Sequence, residues 1–180
     1  MPVRLPAAQL PADPQRLDFR WQYQEGQIVA RGEGVARIAP PDSARVDVFL
    51  DGGYGGGRAL LLGDTLVVPG GDAVRRYFPP APLLWAAFGR LAVPASADTV
   101  ARQDGEVLRA DIGRDPIWRA SFRGERLTGL ERIEENRIVE RVERSAEGAR
   151  YSNDGARRSL VLTVTRSQGV PDFDPSIWRP

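Results

Sequence analysis

The chain has 180 residues, a length that suits one domain, and an apolar share of 42% that is enough for a core. A formal net charge of +1 excludes a strong overall field toward nucleic acid or an anionic membrane. The absence of Cys and His excludes disulfides, thiol catalysis, Cys/His zinc sites and every His-based triad.

In chain order, residues 1–16 carry prolines and little pattern, and are expected to be a flexible tether with an upstream portion missing. Residues 17–180 are expected to form a single domain. Residues 17–24 alternate, with Leu17, Phe19, Trp21 and Tyr23 on one face, which predicts a half-buried strand with an aromatic inner side. After the Glu25-Gly26 turn, residues 27–39 keep the same period. Gly32 and Gly34 sit in the middle, where a sheet bends or something lies close over it. Residues 43–50 place Val46, Val48 and Leu50 inward. A glycine loop, residues 51–57, carries one aromatic, Tyr54, and 58–62 with 65–69 read as a hairpin. Residues 73–78 read as a short strand leading into the one apolar helix, 78–91. Pro79, Pro80 and Pro82 suit its entrance, Leu83 to Phe88 run without a charge, and Gly89 suits its end. A helix apolar nearly all round needs cover on more than one side, so a curved sheet is expected to wrap it.

Residues 92–103 read as loop with a short helical turn near 98–102. Strands resume at 106–112, 116–123, 127–134, 138–144, 149–152 and 159–166, with Trp118, Ala120 and Phe122 sharing a face. Residues 169–180 are expected to lie across the sheet surface. About ten short strands with hairpin-length links predict a mainly β fold. Its antiparallel meander is closed or half-closed, with one or two short helices plugging the concave side.

Candidate chemistry is sparse. The glycine loop lacks the Lys-Ser/Thr of a P-loop and joins strand to strand, so it reads as a hairpin tip or as a projection of Tyr54 toward a membrane interface. Glu131, Glu134 and Glu135 are interleaved with Arg132, Arg137, Arg141 and Arg144, which fits cross-strand ion pairs on a wet sheet face. No calcium-loop spacing accompanies Asp111, Asp115, Asp172 or Asp174, and no Ser or Thr has a His partner, so no catalytic residue, metal or cofactor is assigned. The apolar inventory, Phe19, Trp21, Tyr23, Val46, Val48, Leu60, Leu62, Leu84, Trp85, Phe88, Trp118 and Phe122, fits either a solid core or the lining of a ligand cavity.

The order of parts resembles the LolA/LolB-like lipoprotein carriers of the bacterial envelope. The likeness rests on Gly32-Glu-Gly-Val-Ala-Arg-Ile38, on Pro41-Asp-Ser-Ala-Arg-Val-Asp-Val48, on the glycine loop and hairpin, and on the Tyr77-Phe-Pro lead into a short apolar helix ending in glycine. It implies an incomplete barrel lidded by helices, whose hollow takes acyl chains of lipids or of a lipidated protein. It implies no enzymatic activity, a place on the periplasmic side of the outer membrane or in the periplasm, and an N-terminal lipid anchor. Tyr54 stands where members of the LolB kind expose an apolar loop residue for membrane or partner contact, although that residue is aliphatic in the family. A monomer without nucleic-acid partners is expected. The alternative is a structural or assembly lipoprotein of the same fold with a filled core and no lipid cargo.

Overall fold

Alternating apolar residues decide which face of each strand turns inward, and a computed structural model describing residues 4–53 and 55–180 places those faces on one curved sheet. The strands are β1 (Gln15–Glu25), β2 (Ile28–Ala39), β3 (Ser43–Leu50), β4 (Gly56–Leu62), β5 (Thr65–Val67), β6 (Val100–Asp104), β7 (Val107–Ile112), β8 (Ile117–Arg123), β9 (Arg126–Glu134), β10 (Arg137–Arg144), β11 (Gly148–Asn153) and β12 (Arg158–Gly169). All neighbours pair antiparallel in the order β5-β4-β3-β2-β1-β12-β11-β10-β9-β8-β7-β6. The sheet is not closed into a barrel. Two hairpin meanders, β1–β5 and β6–β12, therefore join at the centre through the β1–β12 pair, and β5 and β6 are the free edges.

Residues 68–99 connect those two edges and carry the helices α1 (Asp72–Arg75) and α2 (Ala81–Ala87). Pro80 precedes α2 and Pro82 lies in its first turn, where proline's missing N–H costs nothing. Leu83, Leu84, Trp85 and Ala86 are all buried, and α2 lies against β9, β10 and β11. The core beneath contains Tyr23, Phe122, Leu127, Leu130 and Val142, all essentially without exposure. Each such large side chain contributes about 1.5–3 kcal/mol by leaving water. Phe19 packs over Gly34, where a Cβ would come within 2.3 Å of the ring, so the small residue in β2 admits an aromatic from β1.

Several expectations change. Residues 73–78 form α1 and the turn after it, because Val74, Tyr77 and Phe78 recur at helical spacing and all three pack on the core. Tyr77 meets Trp21 and Tyr23 edge-on at 6.1 and 4.7 Å. The helical turn expected near 98–102 is instead the edge strand β6, and α2 is shorter than the expected 78–91. The stretch expected as a tether is packed in part. Ala8 and Leu10 are buried, the Leu91 N–H donates to the Ala8 carbonyl at 2.9 Å, and β1 already begins at Gln15. At the other end, the 3-10 turn Pro175–Trp178 lies against β3, where the Ile177 carbonyl accepts from Arg45 at 3.3 Å.

Candidate functional site

Inward-facing side chains divide the concave side into three zones. The first lies under α1 and the start of α2. Phe19, Trp21, Val46, Val48 and Leu84 converge there with Tyr77 and Phe78 around a cavity of about 20 Å³. That is room for about one water molecule, in a lining with almost no polar surface.

The second zone lies at the end of the sheet where β1 begins and α2 ends. A cleft of about 250 Å³ opens there between α2 and strands β1, β10, β11 and β12. Its apolar walls include Leu10, Leu17, Phe19, Phe88, Leu162 and Val164, and its polar lining includes Arg126 and Arg144. Gly89 shapes this end. Its φ of 91° ends α2, and a Cβ there would come within 2.8 Å of Arg144 Nη1. Arg144 donates through Nη1 to the Leu127 carbonyl at 2.9 Å, while its Nε is buried with no hydrogen-bond partner among the described residues. Burial, and then the neighbouring charge of Arg126, pushes the Arg144 guanidinium below its ordinary range.

The third zone is a polar band at the opposite end. Glu140 accepts from the Tyr151 hydroxyl at 2.7 Å and from Arg132 Nε at 2.9 Å, and Arg132 also pairs with Glu134. Nearby, the Tyr23 hydroxyl donates to Glu25, which also accepts from Arg158 at 3.3 Å. Burial first, and the bond to Glu25 second, pushes the Tyr23 phenol up to about 12. The same hydrogen bond leads the causes that hold the Glu25 carboxyl below its usual range.

The sequence-derived set is thus brought together only in part. Phe19, Trp21, Val46, Val48 and Leu84 line the small cavity, and Phe19 and Phe88 line the cleft. Tyr23, Trp85 and Phe122 are packed solidly in the core, and Trp118 packs at its margin. Leu60 and Leu62 line neither the small cavity nor the cleft. Register pairs Val46 with Ala59 and Val48 with Gly57, so Ala59 and Leu61 face the concave core, while Leu60, itself fully buried, and Leu62 take the opposite parity. The run Ala59-Leu-Leu-Leu62 has no alternation, and so its faces cannot be read from composition. Tyr54 lies outside the described residues.

The expected wet-face ion pairs also move, because Arg132 and Glu140 pair across strands on the concave side, with Glu140 only 5% exposed. Arg126, Arg144, Leu162 and Val164 were not among the expected site residues. The signal for Arg144 was parity, since Glu140, Val142 and Arg144 share one face of β10.

No family model matches the chain, and no curated protein matches it by sequence. Solved structures do resemble it in three dimensions. A LolA superfamily protein from Nitrosomonas europaea superposes with a TM-score of 0.58 at 10% identity, covering 96% of this chain and 93% of the other. A domain assigned to outer membrane lipoprotein sorting from Vibrio parahaemolyticus gives 0.54 at 7% identity, with 96% and 92% covered. A DUF1329 family protein from Desulfovibrio piger gives 0.54 at 6% identity, with 93% and 90% covered. At such identities the likeness is one of architecture, and it extends over nearly the whole chain: the open, helix-plugged antiparallel sheet is the LolA/LolB-like fold.

Proposed function

We propose that this chain is a non-enzymatic lipid-binding domain of the bacterial envelope. In this reading it takes an acyl chain of a lipid or lipoprotein into the cleft beside α2, on the periplasmic side of the outer membrane. The observation that carries the reading is the cleft of about 250 Å³ with Leu17, Phe19, Phe88, Leu162 and Val164 in its walls. It lies near the lower limit of small-molecule pockets, roughly 300 Å³, which suits one hydrocarbon chain. Each methylene moved from water into such a wall gains about 0.8 kcal/mol, so affinity needs no elaborate polar code. The likeness to the Vibrio lipoprotein-sorting domain supports the same reading. Contact of Tyr54 with a membrane or partner belongs to this proposal, and exposed Phe49 and Ile28 stand at the same end of the sheet as its loop.

The test is Phe88→Glu, which places a charge in the wall at a residue that is only partly buried. Binding of a fluorescent fatty acid is expected to weaken at least tenfold while the melting temperature stays within a few degrees. Unchanged binding would remove the cleft from consideration. A structural role for the same fold is favoured by a different observation, the mere 20 Å³ left beneath the start of α2. Mass spectrometry of the purified protein separates the two readings, since a cargo-binding domain retains lipid and a structural one does not.

A further inference from the structure

The polar lining of the cleft is one-sided. The sequence mixes 25 arginines with 24 acids, yet among the described residues the cleft is lined by Arg126 and Arg144 and by no carboxylate. Elsewhere on the concave side Arg132 and Arg158 each have a glutamate partner. Among the described residues Arg144 has only the Leu127 carbonyl as acceptor, its Nε is buried without one, and neither Arg144 nor Arg126 is in an ion pair. A guanidinium cannot escape this position by losing its proton, because its pKa lies too high. A partly buried, unpaired cation next to a second cation is unfavourable until an anion joins them. The two guanidinia belong to adjacent strands, Arg126 opening β9 and Arg144 closing β10, so both stand at the same end of the sheet.

We infer that the cleft receives a single-chain anionic amphiphile, with its acid head, carboxylate or phosphate, against Arg126 and Arg144 and its tail among Leu17, Phe19, Phe88 and Val164. This rests on the cleft being the lipid site, and it adds the chemical class of the ligand. Guanidinium planes offer paired N–H donors that match both carboxylate and phosphate oxygens. The apolar walls account for the tail, and the pair of cations for the head.

Calorimetric titration of the intact chain at about pH 8, where a carboxylic acid is ionised, tests the inference with four probes. These are dodecanoate, dodecyl phosphate, dodecanol and inorganic phosphate. At least one of the two acids is expected to bind about tenfold more tightly than dodecanol, the size of one charge-assisted hydrogen bond. Inorganic phosphate is expected not to bind measurably. The preference should shrink in Arg126→Gln and in Arg144→Gln. Arg126 is exposed, so its variant decides the question should Arg144→Gln fail to fold.

Equal binding of acids and dodecanol would overturn the head-group assignment while leaving the acyl cleft standing. No binding of any tailed probe would overturn both. Binding of inorganic phosphate as tight as that of the acids would overturn the amphiphile. A preference that survives in both variants would overturn the role of the arginines.

Discussion

Glu140 and Arg144 lie on the same face of β10, and the contrast between them defines the two ends of the molecule. Glu140 is the buried charged residue of the described chain, and its oxygens are answered by Tyr151 and Arg132. Burial, followed by the hydrogen bond to Glu140, pushes the Tyr151 phenol well above its ordinary range, so it remains a neutral donor to a charged acceptor. Removing one member of a buried charged set costs about 3–5 kcal/mol, because the remaining members lose their compensation. Glu140→Ala is therefore expected to lower the unfolding free energy by about that amount in urea titrations. Glu140→Gln, which keeps an acceptor, should lower it by less. A loss under about 1 kcal/mol for Glu140→Ala would mean that solvent already screens the set. Arg144 has no carboxylate partner among the described residues, whereas at the other end of the concave side Arg132 and Arg158 each pair with a glutamate.

The element that joins these ends is α2, and its seven residues are too few to be stable by themselves. It persists because Trp85 is buried and its indole N–H donates to the Gly63 carbonyl at 2.7 Å, tying the helix to the β4–β5 turn, while Arg90 stacks on the ring at 4.7 Å. Trp85→Phe keeps most of the apolar area but leaves the Gly63 carbonyl unanswered, a loss of about 1–3 kcal/mol. Amide exchange in α2 is expected to accelerate, with the central strands unaffected. Unaltered exchange in α2 would show that packing alone holds it. The helix was legible in the sequence because prolines, an uncharged apolar run and a glycine mark its limits. Strands such as β1 and β8 were legible because their apolar residues alternate. β6 was not, since an edge strand with mostly exposed side chains carries no alternation to read. α1 was missed because four residues hardly distinguish a helical period from a strand period. The unpaired state of Arg144 could not be read at all, because it depends on which acids the fold brings near and which it leaves elsewhere.

At the scale of the whole molecule, the pairing of β1 with β12 makes one sheet of two meanders, and it brings together residues from near both ends of the chain. Strands at the centre have a neighbour on each side, while β5 and β6 have one each. Local opening follows the number of hydrogen-bonded and packed neighbours, so stability should grade from the middle of the sheet to its edges. Hydrogen exchange is expected to be slowest in β1, β2 and β12 and fastest in β5 and β6. Uniform protection across all twelve strands would show instead that the connection over residues 68–99 locks the edges as firmly as a closed barrel would. The expected gradient bears on the proposed function because the cleft lies between the central strands and the connection over residues 68–99. One wall, formed by Leu17, Phe19, Leu162 and Val164, stands on β1 and β12, and the other, with Ala87 and Phe88, ends α2. A ligand seated there should therefore add protection mainly on the α2 side, where there is opening left to suppress, and little on β1 and β12, which are already closed.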